Sequence, residues 1–138
     1  FSERLTKKTY VAVISGSIEP RQAIIDAPIA RNASKPKTFQ VAAEGKSAQT
    51  QYQVLAEMDQ LSAILLKPTT GRTHQLRVHL AYIGHPIIGD DLYGNNATER
   101  LLLHAYQLEI TLPNKQATSF TAPLPDDFPS FVKAALHD

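Results

Sequence analysis

The side chains of residues 9–15 (Thr-Tyr-Val-Ala-Val-Ile-Ser) are mainly β-branched, aromatic or small. Gly16 ends the run, which predicts a strand. Residues 18–46 show no sustained period. Pro20, Pro28 and Pro36 with scattered charges predict a loop-like stretch holding short extended pieces. Residues 50–56 and 61–66 are apolar enough for two paired strands joined by a turn at 57–60, and Pro68 and Gly71 break the second. The period then changes. Leu76, Leu80 and Ile83 recur at i, i+4 and i+7, one buried stripe of a helix that starts near Thr73. Gly84 followed by Pro86 closes it. Residues 85–94 read as a turn-rich loop, 101–112 as one long strand or two short ones, 118–121 as a partner strand, and 125–136 as a loop entering a terminal helix. Strands, a helix and strands again predict an α+β fold: a mixed, mainly antiparallel sheet with few helices, over residues 1–138 as a single domain.

Composition narrows the class. The 138 residues are 43% hydrophobic and 20% charged, which suits one domain with a real core and not a disordered tail. No apolar run approaches the roughly 18 residues of a membrane span, and residues 1–10 carry Arg4, Lys7 and Lys8 without the apolar stretch of a signal peptide. Without cysteine there is neither a disulfide framework nor a thiolate metal site, a usage that suits the cytoplasm. Met58 is the only methionine and residues 1–5 read like the end of a helix entered from upstream, so the chain reads as a processed or excised fragment.

The net charge is only +1, but it is unevenly spread. From residue 60 to residue 89 there is no acid, while Lys67, Arg72, His74, Arg77, His79 and His85 fall there. A second basic stretch holds Arg31, Lys35, Lys37 and Lys46 against Glu44 alone. Such patches suit an anionic partner such as RNA, or a solvated face balanced elsewhere.

The densest chemistry lies in residues 66–94. A strand ends at Lys67, a tight Thr69-Thr70-Gly71 turn follows, and the helix start offers free N–H groups and a positive dipole end beside Arg72. Arg72 either serves that anion site or caps a loop. On the helix Arg77 lies near His74 and Ala81, away from the apolar stripe, so it is expected to project toward a cleft. A guanidinium on a rigid helix suits two-point binding of a carboxylate or phosphate. His74 and His79 are five residues apart, about 140° around a helix, so they do not make a zinc pair. His79 is expected to hydrogen-bond within the fold and His104 to be a satisfied buried histidine. Asp90 and Asp91 are adjacent and too few for a cation loop. A turn whose Asp bonds backbone, with Tyr93 packed over it, fits better.

The series Thr70-Gly71-Arg72-Thr73-His74-Gln75-Leu76-Arg77-Val78-His79-Leu80, then Gly84-His85-Pro86-Ile87-Ile88-Gly89-Asp90, then Tyr93-Gly94, resembles the signature of RluA-type RNA pseudouridine synthases. Further matches in order are Lys8-Thr9-Tyr10, residues 46–52, 100–105 and 120–128, so the resemblance covers nearly the whole chain. It implies the C-terminal part of that family's catalytic fold and isomerisation of uridine in ribosomal RNA or tRNA without metal or organic cofactor. By the same resemblance Tyr10 packs on the target base and serves proton transfer from C5. Arg77 pairs with the catalytic aspartate, while Arg72, Thr73, His74 and Lys67 contact the RNA. The reaction needs an extruded base, a carboxylate near the sugar and an aromatic surface.

One departure matters. The family's catalytic aspartate lies in a His-Arg-Leu-Asp motif upstream of the tyrosine segment, and this sequence has no such motif. The chain alone is therefore expected to be inactive, to leave Arg77 without its carboxylate partner, and to self-associate through exposed sheet. A non-catalytic RNA-binding module is the alternative reading; a histidine-based metal hydrolase fails on spacing.

Overall fold

Strand β1, Thr6–Ser15, runs between two neighbours and sends successive side chains to opposite faces. Ala12 and Ile14 join Ile64, Leu66, Leu76 and Leu80 in one buried cluster, with Tyr10 packed against it. Val11 and Val13 join Ala63, Leu102, Phe128 and Val132 in another. The core is thus two layers with a sheet between them. The computed structural model describes residues 6–94 and 100–136; the helix end expected at residues 1–5 lies outside them.

After β1 come strands β2 (Gln22–Asp26), β3 (Ile29–Arg31), β4 (Phe39–Val41), β5 (Gln49–Met58) and β6 (Leu61–Pro68). Helix α1 (Gln75–Tyr82), strands β7 (Leu103–Thr111) and β8 (Ala117–Thr121) and helix α2 (Ser130–Leu136) follow. The main sheet has the order β2-β5-β6-β1-β7-β8, and β3 and β4 form a separate two-stranded unit. Every strand pairing among the described residues is antiparallel. This is the expected α+β architecture, at the antiparallel limit of its sheet. The β5–β6 hairpin closes Met58 on Leu61, and both turn residues, Asp59 and Gln60, take positive φ (52° and 65°). That geometry matches the right-handed twist of the flanking strands.

Residues 18–46 hold more structure than their pattern suggested: β2 adds an edge strand to β5, and β3 and β4 pair into a hairpin that covers α1. This covering explains why α1 is hardly amphipathic. Leu76 and Leu80 face the sheet, while Val78 packs with Ile29 and Ala48 on the hairpin side. Gln75 and His79 are consequently buried, and each is fully bonded. Gln75 Nε2 donates to the Gln49 carbonyl and to Thr50 Oγ1, both at 2.9 Å. His79 Nε2 donates to the Ala27 carbonyl and Nδ1 lies 2.8 Å from Thr50 Oγ1. The expected internal role of His79 holds. His104 differs: it is only partly buried, because β7 lies near the sheet edge, and its Nε2 bonds the Ala122 carbonyl at 2.8 Å.

The segment after α1 is sewn into the sheet. Ile88 N–H donates to the Val13 carbonyl and Leu102 N–H to the Ile88 carbonyl, both at 2.9 Å. This crossing fixes the turn that follows, and that turn carries part of the site.

Candidate active site

The approach to α1 is knit by side-chain bonds. Thr70 Oγ1 accepts from the Gln49 amide and donates to Gln75 Oε1, which also accepts from the Arg72 amide. The helix starts at Gln75, two residues later than expected, because His74 takes a left-handed φ of 57°. A non-glycine residue in that region is uncommon and is held there by its surroundings. His74 Nδ1 sits 2.7 Å from the Tyr93 hydroxyl, and that hydroxyl accepts from the Phe39 amide at 3.0 Å. Burial lowers the His74 pKa, and the nearby Arg77 charge lowers it further against the pull of Asp90. His74 is therefore neutral near pH 7.

Arg77 leaves the same helix and grips Asp90 at two points: Nε to Oδ2 at 3.0 Å and Nη2 to Oδ1 at 2.8 Å. The Asp90 side chain is fully buried and that of Arg77 is 18% exposed. Asp90 Oδ1 also accepts the Leu92 and Tyr93 amides, both at 3.1 Å. The backbone-bonding turn expected at Asp90 is present. Tyr93 lies under the guanidinium, 5.3 Å from ring centroid to Cζ, a cation–π contact. The turn closes on Gly94, where a Cβ would stand 2.7 Å from the Asp90 carbonyl oxygen. Burial raises the Asp90 pKa, but Arg77 and the two amides outweigh it, and the carboxyl is held below its ordinary value.

Arg77 does have a carboxylate partner within this chain that the sequence did not lead one to expect, because the stitched segment at 87–88 brings Asp90 under α1. The sequence held both residues, but nothing in a spacing of thirteen residues revealed that they meet. The part played by Phe39 was equally hidden, since it comes from β4, more than thirty residues before α1, and the sequence placed Tyr93 over the Asp90 turn without revealing its bond to His74.

Tyr10 lies on the same sheet face as Leu76 and Leu80 of α1, partly buried against their cluster. The register of β1 against β7 shifts between Thr9 and Tyr10; such irregularities re-aim side chains and are frequent near active sites. Arg72 and Thr73 line a cavity of about 530 Å³ beside the β3–β4 hairpin. Lys67 does not join them. It follows Leu66 on β6, so it points to the opposite face, where it lines a second cavity of about 640 Å³ with Lys7, Lys8, Gln51 and Glu109. Among the described residues no group of three or more His, Asp or Glu side chains is placed to hold a metal ion. Nor is any helix long and apolar enough to cross a membrane.

Comparison with known proteins identifies the family. The family model described as RNA pseudouridylate synthase matches residues 1–82, more than half of the chain. The dual-specificity RNA pseudouridine synthase RluA of Escherichia coli is 42% identical over 134 residues, covering 93% of this chain and 61% of that protein. The ribosomal large subunit pseudouridine synthase D of Nitrosomonas europaea is 37% identical over 144 residues, covering 96% and 42%. The structure of human RNA pseudouridylate synthase domain containing 1 superposes with a TM-score of 0.79 at 34% identity, covering 96% of this chain and 60% of that one. The chain thus spans about half the length of the curated relatives it matches. On the family-model match over residues 1–82 and identities of about 40% over most of the chain, this chain belongs to the RluA-type RNA pseudouridine synthase family.

Proposed function

We propose that the chain forms part of an RNA pseudouridine synthase that isomerises uridine in ribosomal RNA or tRNA in the cytoplasm. The observation that carries this reading is the placement of Tyr10 and the Leu76–Leu80 stripe of α1 on one sheet face, with Arg77 of the same helix held rigidly by Asp90. In the reaction the C1′–N1 bond breaks, uracil turns, C5 bonds C1′, and the C5 proton leaves while N1 gains one. Tyr10 packs on the extruded base and assists proton removal. Asp90 occupies Nε and Nη2 of Arg77, so Nη1 remains for the nucleophilic carboxylate. That carboxylate is supplied from outside these 138 residues, since the sequence has no His-Arg-Leu-Asp motif. Arg72, Thr73 and His74 contact RNA on the α1 side, and Lys67 contacts a separate stretch of it beside Lys7 and Lys8.

In isolation the chain is inactive and self-associates. β8 is exposed along its whole length at a sheet edge, with Phe120 57% exposed, and open apolar edges favour pairing between chains. The test is to incubate uridine-containing RNA with the chain alone, then with the remaining part of a family synthase as a second polypeptide. Pseudouridine is expected only on mixing. Formation by the chain alone would overturn the assignment of the carboxylate, and no formation in either case, despite RNA binding, would favour a non-catalytic RNA-binding module.

A further inference from the structure

The cavity beside the β3–β4 hairpin gathers charge that the sequence keeps apart. Arg31 and Lys46 come from the second basic stretch and Arg72 from the first, more than twenty-five residues on. Among the described residues none of the three is in an ion pair, whereas Arg21, Arg77, Arg100 and Lys133 all are. Glu44 is the one acid lining the cavity. The two guanidinium groups and the Lys46 backbone are also held in place. Arg72 Nε donates to the Ser47 carbonyl at 2.8 Å, which leaves its two Nη groups for a ligand. Arg31 Cζ stands 5.4 Å over the Phe39 ring. Lys46 exchanges both backbone bonds with Ile29, at 2.9 Å each. Gly45 permits this close approach, since a Cβ there would lie 2.5 Å from the Ile29 carbonyl carbon. Three cations in no ion pair among the described residues, against the single Glu44, line one concavity and favour an anion.

We propose that this cavity is a nucleotide subsite for the substrate RNA, holding one phosphodiester between Arg31, Lys46 and Arg72, apart from the position of the isomerised uridine. The inference rests on the RNA-modifying reading above and adds a site to it. The volume of about 530 Å³ lies within the roughly 300–1,000 Å³ typical of sites for small-molecule-sized groups. It is therefore large enough to take one nucleotide of a single-stranded or looped segment. The subsite is joined to the catalytic side. The Phe39 amide and His74 both bond the Tyr93 hydroxyl, and the Tyr93 ring lies under Arg77. A filled subsite thus steadies the ring on which Arg77 rests.

The test uses the full-length enzyme that carries this chain and a fluorescent, loop-containing RNA fragment, with affinity measured across a range of salt concentrations. Arg31→Ala with Lys46→Ala removes two exposed charges that leave the core untouched. Lys115→Ala with Lys133→Ala removes two charges elsewhere. The first pair is expected to weaken binding about tenfold and to flatten the slope of log affinity against log salt by about 0.7, the loss of one single-strand phosphate contact. The control pair should change neither. Equal effects from both pairs, or none from the first, would overturn the subsite while leaving the RNA-modifying reading intact. Failure of the unaltered enzyme to bind any RNA would overturn both. Uridine monophosphate is included as a competitor. Displacement of RNA only at a large excess supports an RNA subsite; binding of the free nucleotide as tightly as RNA would reassign the cavity to a small molecule.

Discussion

Replacing Asp90 by Asn preserves the size of the side chain and its ability to accept the Leu92 and Tyr93 amides. It removes the charge opposite Arg77 and presents an amide N–H where a carboxylate oxygen accepted one. Breaking a buried ion pair from one side costs about 3–5 kcal/mol. Because the Arg77 side chain keeps 18% of its exposure, water relieves part of that loss, and a cost of about 3 kcal/mol is expected at neutral pH. With a urea m-value of about 2 kcal/mol/M, the unfolding midpoint should fall by roughly 1.5 M. Asp90→Ala should cost a further ~1–3 kcal/mol, because it also orphans two backbone amides. The pH dependence supplies an independent check. The folded carboxyl is held below its ordinary value, so its contribution is fully present above the unfolded pKa of about 3.9. It is lost as pH falls through the lower folded value. The unaltered protein should therefore lose this increment in acid while the Asn variant, having no such group, should not. A midpoint shift below about 0.25 M at neutral pH, or identical acid profiles, would refute the view that this pair orders the loop.

Three further outcomes are expected. Tyr10→Phe in the full-length enzyme should leave folding and RNA affinity unchanged but slow turnover by orders of magnitude; near-normal turnover would remove the hydroxyl from the mechanism. Arg77→Lys keeps the charge but loses the planar fork, so it should cost turnover heavily and RNA affinity little. Equal losses in both would make Arg77 an RNA contact. His79, whose pKa is lowered by burial despite the Ala27 carbonyl and Asp26, contributes stability that is present above about pH 6.5 and lost as pH falls through its lower folded value. Denaturation midpoints of the parent and of His79→Gln should therefore converge between pH 7 and 5, and parallel curves would contradict the neutral buried assignment.

The strands β1, β5, β6 and β7 were legible as runs of β-branched, aromatic and apolar residues bounded by turn signals, and helix α1 from Leu76, Leu80 and Ile83 at a period of about 3.6. The short strands β2, β3 and β4 were not, since edge and hairpin pairing is made by backbone groups that every residue carries. The family signature placed Tyr10, Arg72 and Arg77 in the chain, and the acid-free run around the two arginines suited an anionic partner or a solvated face equally. The tertiary structure alone decided what these residues meet. Asp90 reaches Arg77 because 87–88 crosses between β1 and the start of β7, a path set by long-range packing. Lys67 and Arg72, five residues apart, line different cavities because strand alternation and the turn at Gly71 send them to separate sides. Arg31, Lys46 and Arg72, far apart in sequence, line one cavity for the converse reason. Local pattern records which side chains are buried, but the partners of a polar side chain depend on chain crossings that no local period encodes.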